Sequence, residues 1–207
     1  MIPAAEALAR LRAGNERFAR DARNPEPLLG HSHREELLGG QSPFAIVLGC
    51  SDSRVPAELV FDQGIGALFV IRVAGNIVAP SLVGSVEFAV SQFNTRLVVV
   101  LGHTRCGAIQ ATLNELERGG ASPSRNIYSI VNRIRPSIEP LIEASTRPDH
   151  DTLMHLAVRA NVRASVNHLR HGSELLEQSI LQDGLRVIGA EYSLETGVVD
   201  FFDVDDL

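Results

Sequence analysis

The sequence predicts an α/β protein: a mostly parallel central sheet with flanking helices, an antiparallel edge strand near the C-terminus and an N-terminal helical arm. Three observations carry this. A short continuous apolar run at residues 44–49, and similar, mostly apolar runs at 68–73, 96–101 and 185–189, have the character of strands buried on both faces. Stretches with helical spacing alternate with them, and strand, helix, strand in that order implies parallel pairing through crossovers. The final apolar stretch, 198–202, follows Glu195-Thr196-Gly197, a hairpin-type turn that sends the last strand back antiparallel at an edge.

Element by element, the chain begins with Leu8, Leu11 and Phe18 at helical spacing among Arg and Glu, an amphipathic helix that ends near Gly14 or Phe18. Asn24-Pro25-Glu26-Pro27 breaks the chain before the first apolar run. Residues 81–93 and 107–117 carry helical periodicity, with Pro80 and Gly120 as punctuation. Residues 127–181 remain helical, and Pro136, Pro140 and Pro148 divide them into three helices before Gln182-Asp183-Gly184. The 207 residues contain no repeat and no long linker, so one domain over 1–207 is expected, with 1–30 as its arm.

Composition narrows the function. The chain is 44% hydrophobic and 21% charged, ordinary for a globular protein, and its net charge of −6 lacks the basic footprint of a nucleic-acid binder. All 19 basic residues are arginine, which excludes Schiff-base, P-loop and kinase-type lysine chemistry. Two cysteines, Cys50 and Cys106, are too few for a disulfide framework, and the N-terminus has no signal-like apolar segment, so a cytoplasmic location is expected. The longest aliphatic run, 97–101, is far short of the ~20 residues of a membrane span, and no membrane partner is expected.

Cys50 ends the first apolar run, and His103 and Cys106 follow the third. Parallel sheets gather ligand sites at that edge. If the two strands are neighbours, two thiolates and an imidazole converge, a tetrahedral Zn²⁺ set with the fourth position open to water, which is the catalytic pattern and points to zinc-bound hydroxide. The alternative makes the two cysteines a disulfide or plain buried thiols. Asp52 and Arg54 stand two and four residues beyond Cys50; an Asp so placed either fills the fourth position or, held by the guanidinium, accepts a hydrogen bond from water.

Gly49-Cys50-Ser51-Asp52-Ser53-Arg54-Val55-Pro56-Ala57-Glu58, together with Gly102-His103-Thr104-Arg105-Cys106-Gly107-Ala108, closely resembles the β-class carbonic anhydrases. The resemblance extends to the N-terminal helix, to 69–76, to 85–90 and to the final hairpin. It implies zinc held by Cys50, His103 and Cys106, one ion per chain. An Asp52–Arg54 dyad orients the nucleophilic water, and Gly107 offers a backbone N–H to substrate. It also implies a narrow apolar CO₂ cleft at a homodimer interface, matched by Gln41, Phe69, Ala74 and Phe88. Some relatives bind inhibitory bicarbonate through Trp, Arg and Tyr; Arg72 and Tyr192 match two of these positions, but the Trp position is Val47.

The expected activity is reversible hydration of CO₂ to bicarbonate and a proton. Two other readings keep the zinc: hydrolysis of another linear electrophile such as CS₂ or COS, and a non-catalytic zinc or bicarbonate-binding module in which Asp52 closes the site. Elsewhere, His31 and His33, His168 and His171, and the acidic end 203–207 are expected to be solvated surface. Arg72 and Arg96 are expected in ion pairs or an interface, and Gly64-Ile65-Gly66 lacks the third glycine of a dinucleotide site.

Overall fold

The computed structural model describes residues 2–22, 37–119, 122, 124–144 and 148–202. His31, His33 and the acidic end lie outside these, as does the Pro25–Pro27 break. Five strands form one sheet: β1 (Ala45–Gly49), β2 (Leu68–Arg72), β3 (Leu97–His103), β4 (Arg186–Tyr192) and β5 (Val199–Phe202). Their order is β2-β1-β3-β4-β5. The first four are parallel, and β5 returns antiparallel on β4, as expected from the sequence.

Seven helices accompany the strands among the described residues: α1 (Ala4–Ala19), α2 (Ala57–Val60), α3 (Pro80–Phe93), α4 (Gly107–Arg118), α5 (Arg125–Glu143), α6 (His150–His171) and α7 (Glu174–Gln182). The alternation of side chains along the strands sorts the core into two layers. Val47, Val99 and Ile188 face one way, onto Leu8 and Leu11 of α1 and onto Val60 and Phe61. Ile46, Leu48, Val98 and Val100 face the other, onto Val86 of α3, Val162 and Val166 of α6 and Leu176 of α7. Both faces of the central strands β1 and β3 are covered, which is why residues 45–49 and 97–102 are apolar throughout instead of alternating.

Helix α1 continues through Gly14 and ends at Ala19, beside Phe18, the later of the two ends the sequence offers; at Gly14 a Cβ would stand 1.8 Å from the Phe61 carbonyl oxygen, so the glycine lets the helix lie against α2 and does not end it. One boundary differs from the sequence reading. Pro136 and Pro140 do not break α5. They are one helical turn apart on its exposed face, while Val131, Ile134 and Ile138 bury the opposite face. The carbonyls deprived of an N–H partner therefore meet water. Asp149 and Ser173 cap α6 and α7 through the amides of Thr152 and Leu176. No described helix is long and apolar enough to cross a membrane.

Candidate metal centre and active site

Strand order decides the site. β1 and β3 are parallel neighbours with Gly49 opposite Leu101, so the chain leaves both strands at the same edge. Cys50 follows β1, His103 ends β3 and Cys106 precedes α4; all three are buried, and their ligand atoms lie within 4.8 Å of one another. Among the described residues this is the only such group of His, Cys, Asp and Glu. Both cysteines are free thiols, which removes the disulfide alternative.

A tight turn makes the His103–Cys106 approach possible. Arg105 takes a left-handed conformation, φ 55°, uncommon outside glycine. Its neighbours hold it there: the Thr104 amide donates to the Tyr192 carbonyl at 3.0 Å, and the Leu194 amide donates to Thr104 Oγ1 at 3.0 Å. Arg54 Nη2 donates to the Arg105 carbonyl at 3.3 Å, tying the two motifs together.

The donor set fits zinc. His103 Nδ1 lies 2.9 Å from the Thr104 carbonyl, an arrangement that places the ring proton on Nδ1 and leaves the Nε2 lone pair available. Nε2 is fully buried and has no hydrogen-bond partner. The Cys50 thiol is held down to about 4, first because Cys106 donates its S–H to it, against the opposing effect of burial. The Gly75 amide, 3.3 Å from Cys50 Sγ, adds to this. Gly75 sits at φ 72°, and a Cβ there would come within 2.8 Å of Ile134, so glycine is required where its amide reaches the sulfur. The same shared proton, with burial, pushes Cys106 up. The pair thus carries one negative charge, and a soft dication would displace the remaining proton.

Asp52 and Arg54 form the expected pair. Arg54 donates through its amide at 3.0 Å and Nε at 2.9 Å to Asp52 Oδ1, and through Nη2 at 2.7 Å to Oδ2. These bonds hold the Asp52 carboxyl well below the usual carboxylate range. Oδ2 lies 3.9 Å from His103 Nε2, so the dyad borders the ligand cluster.

The expected cleft residues fall in two groups. Gly107 directly follows Cys106, and Ala74 precedes the Gly75 amide that bonds Cys50, so both adjoin the ligand cluster. Phe69 and Phe88 pack at a centroid distance of 6.3 Å, and both contact Phe93, beside the β2 edge of the sheet. Gln41 lines a hollow with Phe93, Leu68 and Ile65 at this same edge. Phe88 is 52% exposed, and Leu38 and Ile65 are exposed nearby.

Arg72 does more than the sequence indicated. It donates through Nε to the Cys50 carbonyl at 3.1 Å and through Nη2 to the Asp52 carbonyl at 2.7 Å, clamping the turn that bears both residues. Val47 is buried in the sheet and Tyr192 packs against Phe18. Arg96 pairs with Asp183 at 3.7 Å, and His168 and His171 are exposed, in line with expectation.

Comparison with known proteins gives this geometry a family. The carbonic anhydrase family model matches residues 45–199. The chain belongs to the carbonic anhydrase family. Carbonic anhydrase 2 of Mycobacterium tuberculosis is 36% identical over 187 residues, 90% of this chain and 87% of that protein. A carbonic anhydrase of Mycolicibacterium smegmatis is 38% identical over 192 residues, 92% of this chain and 89% of its own. Among solved structures, the β-carbonic anhydrase CcaA superposes with a TM-score of 0.74 at 25% identity, covering 96% of this chain and 93% of that one. CafA of Aspergillus fumigatus, at 24% identity, shares the fold with a TM-score of 0.75 over 98% and 92% of the two chains. The chain is a β-class carbonic anhydrase, a lyase that carries out zinc-dependent hydration of CO₂. The CS₂ or COS hydrolase and the non-catalytic module are not favoured.

Proposed function

We propose that Cys50, His103 and Cys106 hold the zinc of this carbonic anhydrase, that Asp52 and Arg54 are its catalytic dyad, and that Gln41, Phe69, Ala74, Phe88 and Gly107 shape the CO₂ cleft. The observation that carries this is the buried, partnerless Nε2 of His103 among two sulfurs, bordered by a carboxylate already locked on Arg54. Bound there, zinc supplies Lewis acidity that brings the pKa of water from ~15.7 toward ~7.

The remaining tasks belong to the chain. Asp52, kept ionised by Arg54, accepts a hydrogen bond from the attacking water and leaves its lone pair directed at CO₂. The Gly107 amide donates to the substrate oxygen as negative charge develops there. The His103 bond to the Thr104 carbonyl and the Gly75 bond to Cys50 keep the ligand atoms from relaxing.

The cleft closes when two copies meet at the β2 edge, where Phe88, Leu38 and Ile65 expose apolar surface on one chain. A homodimer or an assembly of dimers is therefore the working unit, with residues 1–207 as one domain, 1–30 as its arm, and the cytoplasm as its location. The two free thiols of the site suit that reducing compartment.

The test is stopped-flow CO₂ hydration from pH ~6.5 to ~9 with zinc per chain measured on the same sample. Turnover that rises with pH at one zinc per chain is expected, since two thiolates weaken the Lewis acid. Stoichiometric zinc without turnover anywhere in that range would overturn the assignment.

A further inference from the structure

Helix α6 buries one face against the sheet and the ligand cluster, and two polar residues interrupt that face. Asn161 and Ser165, one turn apart, are 2% and 5% exposed among Val158, Val162, Val166 and Leu169. The helix comes in close beside the metal centre: at Gly102, the residue before His103, a Cβ would stand 2.6 Å from Val162 Cγ2 and 3.1 Å from Val158 Cγ1. Polar groups in such a face are costly unless they are bonded. Asn161 Nδ2 donates to the Gly75 carbonyl at 2.8 Å, and Ser165 Oγ donates to the Asn76 carbonyl at 3.1 Å.

Both acceptors belong to the turn whose amide reaches Cys50. Gly75 and Asn76 are left-handed in succession, at φ 72° and 43°. Residues other than glycine rarely adopt this conformation, and glycine is the residue with most freedom to leave it. The peptide between the two is held at both ends: the Asn76 amide donates to the Val73 carbonyl at 3.1 Å, and the Gly75 carbonyl accepts from Asn161. Val73 is in turn paired with the chain as it leaves β1, its amide donating to the Gly49 carbonyl at 3.1 Å and its carbonyl accepting from the Ser51 amide at 3.3 Å. The turn is thus fixed to β1 on one side and to α6 on the other, with the Gly75 amide directed at Cys50 Sγ, 3.3 Å away. Without Asn161 that peptide would keep one anchor, and its carbonyl would be buried without a donor.

We propose, resting on the assignment of Cys50 to the zinc, that Asn161 is a positioning residue of the metal centre, seconded by Ser165: it holds the Gly75 carbonyl so that the Gly75 N–H stays on the Cys50 sulfur. An N–H···S bond draws electron density from a thiolate, and a thiolate that donates less leaves a bound dication the stronger Lewis acid. Two thiolates weaken the metal in this site, and the tether from α6 works against that weakening.

Absorption spectroscopy of the cobalt(II)-substituted protein tests this, because sulfur-to-cobalt charge transfer reports the electron density on the thiolates. Asn161→Leu, close in shape but without the donor, should move that band to longer wavelength at one cobalt per chain and lower kcat/KM of the zinc form about tenfold. Ser165→Ala should move the band the same way by less, and it decides the matter if Asn161→Leu does not fold. Val166→Ala, on the same helix, opens a cavity without touching the turn, and its band should stay at the wild-type wavelength. Cys50→Ser should diminish the band, since one of two thiolates is gone. An unmoved band in Asn161→Leu, or in Ser165→Ala where Asn161→Leu does not fold, would overturn the proposal while leaving Cys50 a ligand; so would a Val166→Ala shift as large as that of Asn161→Leu. Full intensity in Cys50→Ser would instead remove the ligand assignment, and the positioning role with it.

Discussion

Arg72 Nη2 lies 2.7 Å from the main-chain oxygen of Asp52, and its Nε lies 3.1 Å from that of Cys50. One guanidinium at the end of β2 therefore fixes the backbone of Cys50, a proposed metal ligand, and the backbone of Asp52, whose carboxylate pairs with Arg54. Replacing it with methionine keeps the stem and removes both bonds. Arg72→Met should lose about 1–2 kcal/mol of stability, because the guanidinium is partly solvated. Hydration turnover should fall while zinc content remains stoichiometric. Denaturant unfolding with metal analysis checks this, and Arg72→Lys, which can restore one donor, should recover part of the loss.

Asp52→Asn keeps the shape of the side chain but turns one acceptor into a donor. Zinc content should stay at one per chain while kcat/KM falls by roughly 10²- to 10⁴-fold, the range for loss of a positioned proton acceptor. Unchanged turnover would remove Asp52 from the mechanism.

Glu191 supplies a pH dependence of stability. Burial raises its carboxyl above the ordinary 4.5, against the pull of His155 and Arg159 on α6, the latter shared with Asp200 on β5. The folded chain then holds the proton more tightly than the unfolded chain. Stability is therefore lost as pH rises from the unfolded value through the raised folded one, at no more than about 1.36 kcal/mol per pH unit. Glu191→Gln has no such proton. Urea unfolding of both proteins from pH ~4.5 upward should show the difference moving in favour of the variant with rising pH; a constant difference would contradict the argument.

Phe88 is half exposed on α3 and stacks edge-on with Phe93 at 5.8 Å, beside Phe69. Phe88→Arg should leave the monomer folded and weaken self-association by about 30-fold or more, as expected for a central aromatic anchor. Sedimentation velocity reads the mass, and activity should fall in parallel if the cleft needs two copies.

Much of this was legible locally. Apolar runs of strand length located β1 to β4 to within a few residues, because a strand buried on both faces has no polar positions to interrupt it. The Glu195–Gly197 turn announced the antiparallel return, and Gly197 does sit at φ 74°. Pro136 and Pro140 misled because proline cost depends on whether the orphaned carbonyl meets water or core, which a residue type does not reveal. Glu191 carried a signal that passed unused: a charged residue within the run Val187 to Tyr192 has to be partnered or unusual.

The sequence by itself determined the element types, the Cys50, His103 and Cys106 trio and the Asp52–Arg54 pair, since spacing along a chain encodes these directly. Tertiary structure decided that β1 lies beside β3, which is what brings Cys50 to His103 and Cys106. It also decided that Arg72 serves two carbonyls and that Glu191 keeps one oxygen without a donor. These outcomes depend on strand order and on contacts between segments 20 to 90 residues apart. The physical reason is that such pairings are settled by which faces can be buried together, and no local pattern contains that competition.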